Sequence, residues 1–292
     1  MTPDALPVRH HMVQLRSLRM HYVELGEGPL VVLLHGFPEN WWSWRHQLGP
    51  LAAAGFRVIA PDLRGYNETE KHGPYDLDTL ADDVCQLIDA VQPGPASIVG
   101  HDWGGAVAWH LAARRPEHVA RLAVLNCPHP ARFAQVLRHE RNAAQLRKSW
   151  YMFFFQLPWL PEWVLTRNDG GAVVRSLKGM AVDRSRFRDE AELRPFRDGV
   201  QKPGAASAML GWYRTMMRQA LFGRPPDYPP IAVETLLVWA MEDAALGYDA
   251  LVPGTEKWAP RLKVAPIEGC GHFVQSEQPE RVTSALLPFL QG

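Results

Sequence analysis

Leu30-Val31-Val32-Leu33-Leu34 is an unbroken apolar run that ends at His35-Gly36. Lacking polar alternation, it suits a strand covered on both faces, as in a parallel sheet. Arg57 to Ala60, Ser97 to Val99, Leu122 to Leu125, Thr235 to Trp239 and Lys263 to Ile267 repeat the pattern. Two earlier runs, Met12 to Leu15 and Met20 to Leu25, alternate instead, which predicts an antiparallel pair opening the sheet. Leu77, Leu80, Ala81, Val84, Leu87, Ile88 and Val91 follow at steps of three and four, one apolar stripe of a helix, and Ala106 to Ala113 forms another helical run. Strands alternating with helices predict an α/β protein built on a doubly wound, mostly parallel sheet.

From about residue 129 to about 230 the alternation stops. Long helical and aromatic segments lead there to a proline-rich exit, Arg224-Pro225-Pro226-Asp227-Tyr228-Pro229-Pro230. The expectation is a core formed by residues 1–128 and 231–292, with a helical lid of residues 129–230 inserted between two core strands. A chain of 292 residues with 47% hydrophobic composition can bury a core of that size. No internal repeat stands out, and nothing in the chain sets an oligomeric state.

Composition narrows the choice of partners. Lys plus Arg and Asp plus Glu number 31 each, and no dense basic stretch occurs, so there is no electrostatic case for nucleic acid or an anionic membrane. A small neutral molecule is the expected partner. The cysteines, Cys85, Cys127 and Cys270, form no C-x-x-C pair and no zinc spacing, which argues against structural disulfides and metal. The first 26 residues lack the apolar centre of a signal peptide, and a cytoplasmic location is expected. Trp150 to Leu165 is the most hydrophobic stretch, but Gln156, Pro158, Pro161 and Glu162 interrupt it too often for a membrane span. Its aromatic residues suit the wall of an apolar substrate cavity.

Chemistry concentrates where the Ser97 strand meets the Ala106 helix. Gly100-His101-Asp102-Trp103-Gly104-Gly105 reads as a Gly-x-nucleophile-x-Gly turn, whose cramped backbone requires glycine and leaves its central side chain exposed at the strand end. Asp102 occupies the central position. A carboxylate there forms an ester with its substrate, which points to attack on an alkyl carbon, in an epoxide or a carbon–halogen bond. The alternative is a packing turn in which Asp102 caps the helix N-terminus.

Three segments together resemble the epoxide hydrolases of the α/β-hydrolase fold, over nearly the whole chain: His35-Gly36-Phe37-Pro38-Glu39 with Trp42-Ser43-Trp44, then Gly100 to Gly105, then Gly269-Cys270-Gly271-His272-Phe273 with Gln275, Glu277, Pro279 and Glu280. Haloalkane dehalogenases share the fold and the turn, but the His35 to Glu39 segment favours the epoxide branch. The resemblance implies an α/β-hydrolase fold with an inserted helical lid. It also implies a nucleophile, acid and histidine in the order Asp102, Asp243, His272. Asp243 follows the Thr235 strand, where a carboxylate can orient His272; Glu242 competes for that role. His272 would be the base that activates water, with His35 and His101 as supports. Backbone N–H groups of Phe37 and Trp103 would bind the oxyanion, Pro38 fixing the loop of the first.

Epoxide opening further needs an acid, which the family supplies as two lid tyrosines. Leu210-Gly211-Trp212-Tyr213-Arg214 matches the second, giving Tyr213 beside Trp212. The first falls in a motif ending Tyr-Phe-Gln, and the run Tyr151-Met152-Phe153-Phe154-Phe155-Gln156 puts Phe154 at its position. Tyr151, three residues earlier, is either its replacement or a packing aromatic. Tyr151, Phe154, Trp212 and Pro38 are the expected pocket residues, and the implied reaction needs neither cofactor nor metal. Two other readings remain open: a haloalkane or haloacid dehalogenase using the same ester, or a non-catalytic receptor for a small molecule in the lid cavity.

Overall fold

The computed structural model describes residue 2 and residues 6–140, 142–223 and 227–292. Of the proline-rich exit, Arg224, Pro225 and Pro226 fall outside these. Eight strands, β1 (Arg9–Gln14), β2 (Arg19–Leu25), β3 (Leu30–Leu34), β4 (Arg57–Pro61), β5 (Ala96–His101), β6 (Val119–Leu125), β7 (Thr235–Ala240) and β8 (Leu262–Ile267), form one sheet in the order β1-β2-β4-β3-β5-β6-β7-β8. β1 pairs antiparallel with β2, and β2 with β4. The remaining pairs are parallel. Every residue of β3, β5 and β7 is buried, the burial that unbroken apolar runs require. The edge strands β1 and β8 are largely exposed.

The helix Leu77–Val91 has the predicted bounds. Asp76 caps it, its carboxylate accepting from the Thr79 N–H. The run predicted from Ala106 to Ala113 is a longer helix, Trp103–Arg114. The helix Arg45–Ala53 was not predicted, because Gly49 and Pro50 interrupt its sequence.

Between β6 and β7 the described residues form helices and no strand. The principal ones are Leu160–Met180, broken where Asn168, Asp169 and Gly170 turn to positive φ, then Glu190–Gln201 and Ala205–Phe222. Buried polar contacts tie them to the sheet region. Trp42 Nε1 donates to Glu192 O at 2.9 Å, Arg45 pairs with Glu192 at 3.0 Å, and Trp212 Nε1 donates to Arg64 O at 3.1 Å. The Glu277 carboxylate joins two segments: one oxygen accepts the Val182 and Asp183 N–H groups at 2.9 and 2.7 Å, the other the Gly271 N–H at 2.9 Å. Among the described residues no helix is long and apolar enough to cross a membrane.

Candidate active site

β5 delivers its last residue into a sharp turn, and Asp102 takes φ 49°, a backbone angle costly for a residue with a side chain. The turn closes tightly against the next strand. A Cβ on Gly104 would lie 2.2 Å from Leu34 O, and one on Gly36 would lie 2.5 Å from the Asp102 Cβ. Only glycine permits both approaches. Asp102 makes no side-chain cap to the helix Trp103–Arg114, so the capping alternative does not describe this residue. Its carboxylate turns away instead, accepting the Phe37 N–H on Oδ1 at 2.9 Å. Trp103 opens the helix, so its N–H has no acceptor within that helix.

His272 lies across from Asp102. Its Nε2 is 3.5 Å from Asp102 Oδ2, and its Nδ1 is hydrogen-bonded to Asp243 Oδ2 at 2.7 Å. Asp243 is itself held from several sides: Asn126 Nδ2 donates to Oδ2 at 2.7 Å, and the Ala245 and Leu246 N–H groups donate to Oδ1 at 2.7 and 2.9 Å. Glu242 points elsewhere, accepting the Cys270 N–H at 3.0 Å. Asn126 escaped the sequence reading. Its signal was position, since it follows the C-terminal end of β6, where open α/β sheets gather functional groups.

These groups set each other's charge. Burial raises the Asp102 carboxyl, but the His272 imidazole and the Phe37 N–H outweigh it and hold it below the ordinary carboxylate value. Asp243 behaves alike, with burial opposed by His272 and Asn126. Burial lowers His272, yet the two carboxylates overcome this and raise it well above its ordinary value. The two carboxylates thus favour the charged form of His272, and its charge favours theirs.

His35 and His101 build the surroundings. His35 Nε2 accepts the Leu63 N–H at 3.0 Å while Nδ1 bonds Gly36 O at 2.9 Å, and burial keeps the ring's affinity for a second proton low. His101 bonds Glu39 Oε2 at 2.8 Å and the His272 carbonyl at 2.9 Å, linking the His35 to Glu39 loop to the histidine loop.

Above Asp102 opens a cavity of about 480 Å³, lined by Asp102, Trp103, Tyr151, Trp212 and Tyr213 among others. The two tyrosine rings lie 6.0 Å apart, and the Tyr213 ring meets Phe37 and Trp103 edge-on, each at 5.1 Å. Burial and the Asp102 charge raise both phenols, so both keep their protons. Phe154 and Pro38, expected in the pocket, are not among its lining residues. Phe154 ends the short helix Trp150–Phe154 and packs on Trp150 and Phe155, whereas Tyr151, three residues earlier and rotated about the axis, faces the cavity. Among the described residues no group of His, Cys, Asp or Glu side chains is arranged to hold a metal ion.

Comparison with known proteins places the fold in a family. A family model described as the alpha/beta hydrolase fold matches residues 29–279. The AB hydrolase superfamily protein YfhM of Bacillus subtilis (strain 168) is 37% identical over 290 residues, which are 98% of this chain and 99% of that protein. Epoxide hydrolase 4 of Homo sapiens is 34% identical over 294 residues, 97% of this chain and 79% of that protein. The crystal structure of a Bacillus megaterium epoxide hydrolase in complex with an inhibitor superposes with a TM-score of 0.87 at 27% identity, covering 97% of this chain and all of that one. By motif order, sheet topology and these relatives, the chain belongs to the α/β-hydrolase fold family and, within it, to the epoxide hydrolases.

Proposed function

We propose that the protein hydrolyses a small apolar epoxide to a vicinal diol through an ester on Asp102. The observation that carries this reading is the convergence of three elements on one cavity: the Asp102 carboxylate, the His272–Asp243 pair behind it, and two protonated phenols, Tyr151 and Tyr213. A carboxylate oxygen of Asp102 attacks an epoxide carbon and the carbon–oxygen bond of the ring breaks. The departing oxygen accepts a hydrogen bond and then a proton from the phenols. The lid reading of residues 129–230 belongs to this proposal, because that segment supplies both tyrosines.

Ester formation removes the negative charge of Asp102. One of the two carboxylates that keep His272 protonated is then gone, so His272 releases its proton, which passes through solvent to the phenolate left by ring opening, and the neutral imidazole takes a proton from water. Hydroxide from that water attacks the Asp102 carbonyl carbon. The oxyanion formed is bound by the N–H groups of Phe37 and Trp103. Its collapse breaks the bond between the Asp102 carbon and the substrate oxygen, which takes the proton of the added hydroxyl as the diol leaves; the carboxylate is restored, and His272 keeps the proton it took from water.

A single turnover in heavy-oxygen water tests the sequence of steps. The label is expected in Asp102, read by peptide mass, and not in the first diol released. Label appearing directly in the diol would mean that water attacks the epoxide without an ester. Halide release from haloalkanes in the absence of any diol formation would transfer the reading to the dehalogenases.

A further inference from the structure

The aromatic run Trp150 to Leu165, expected to wall the cavity, does so only through Tyr151 and Met152. Trp150, Phe153, Leu157, Trp159 and Trp163 face solvent instead, Trp159 with 73% of its surface exposed. Monomeric soluble proteins seldom display so many large apolar side chains in one short segment. Arg214 fixes this run against the helix Ala205–Phe222, donating to Phe155 O at 3.0 Å and Leu157 O at 2.8 Å. On that helix Arg214, Arg218 and Leu221 follow at steps of four and three along one face. Arg218 is exposed, and the stripe ends at Leu221 and Phe222, exposed by 67% and 85%. The same helix end reaches the cavity, whose lining includes Gln219, Ala220 and Gly223.

Basic residues are also concentrated in this part of the chain. The balanced total conceals a segregation: residues 129–230 carry 17 Lys and Arg against 9 Asp and Glu, the remainder 14 against 22. Arg147 and Arg167 are exposed on or beside the aromatic run, and the Arg167 guanidinium stands 4.5 Å over the Trp163 ring. Exposed tryptophans set among arginines fit the headgroup boundary of a bilayer, where indole is both apolar and wet. A second copy of the chain fits less well, since a two-fold contact would bring two basic segments face to face.

We propose that this face of the lid docks on a lipid surface bearing anionic headgroups, with Trp150, Trp159, Trp163 and Phe222 in the boundary layer and the exposed Arg147, Arg167 and Arg218 on the headgroups, Arg214 being paired with Glu162 at 2.6 Å. An apolar epoxide dissolved in the bilayer then reaches the cavity along the end of the helix Ala205–Phe222. Docking itself is independent of the chemistry, while this route for the substrate rests on the function proposed above.

Sedimentation of the full chain with phosphatidylcholine vesicles, with and without phosphatidylglycerol, tests the proposal. The protein is expected to pellet with anionic vesicles at low salt, and to be released in high salt and by pure phosphatidylcholine. Replacing Trp159, Trp163 and Phe222 together by Ser is expected to weaken pelleting at least about tenfold. Diol formation from a water-soluble epoxide is expected to persist in that variant. Failure of the wild-type chain to pellet with anionic vesicles would overturn the proposal, as would pelleting unchanged by the triple substitution. A wild-type dimer that the substitutions convert to monomer in analytical ultracentrifugation would assign the face to a second copy. Vesicle binding without turnover of any epoxide would overturn the catalytic reading and leave docking standing.

Discussion

A single imidazole has to be charged in one half of the proposed cycle and neutral in the other. In the free protein His272 is raised well above its ordinary value, and Asp102 is held below the usual carboxylate value. Ester formation, which needs ionised Asp102, is therefore expected to stay constant from neutral pH down to the mildly acidic range. Ester hydrolysis needs neutral His272 and should fall as pH falls through the value His272 has once Asp102 is esterified. Rapid-quench measurement of the two steps against pH checks the split. His272→Gln is expected to accumulate the ester, seen as a mass gain equal to that of the substrate. Asp243→Asn should cost about 10⁴-fold in turnover, by analogy with other triads, whereas Glu242→Gln should cost little because its carboxylate is turned to the Cys270 N–H. Tyr151→Phe and Tyr213→Phe should each lose about 10²- to 10³-fold in ring opening, the usual worth of one positioned donor. Phe154→Tyr should restore nothing, its side chain being packed on Trp150 and Phe155. Asp102 is legible in sequence because glycines must surround it, and His272 through the resemblance of its loop to that of the family. Tyr151 was only one of two alternatives, since a helical segment of five residues fixes no facing direction until it is packed.

At the scale of elements, the site depends on the loop after β3 standing close to the turn after β5. Gly36 is the point of contact, with no room for a methyl group beside Asp102. Gly36→Ala is expected to push the Phe37 N–H off the carboxylate and to reduce ester formation and hydrolysis alike by about 10²-fold, with the fold intact by circular dichroism. Retention of full single-turnover rates would show that the N–H is not needed. The strands were predictable because burial on both faces leaves apolar runs at the centres of β3, β5 and β7, with Ser97, His101 and Thr235 only at or next to the ends. The helix Arg45–Ala53 was not, since its place is set by neighbours more than by its own pattern. Arg45 bonds Glu192 and Trp42 O, and Gln47 Nε2 donates to Gln275 O at 3.0 Å.

Across the whole molecule, the inserted helices and the sheet region are bound by polar groups that no local pattern announces. Arg45 is almost fully buried, and its carboxylate partner Glu192 lies 147 residues away. Glu192→Ala should leave that guanidinium without its counter-charge and lower unfolding stability by about 3 kcal/mol, measurable by urea denaturation. The double variant with Arg45→Met should recover much of the loss. The Glu277 carboxylate raises a different matter, because it grips the backbone at Val182 and Asp183 with one oxygen and the histidine loop at Gly271 with the other. For anyone redesigning substrate scope, the roof over the cavity is thus not an interchangeable module. A graft of residues 129–230 from a relative brings its own path at 182–183, and any mismatch there travels through one side chain to the ring at His272. Swaps confined to cavity-facing positions such as Met216 and Met217 leave that fastening untouched, which makes them the safer starting library.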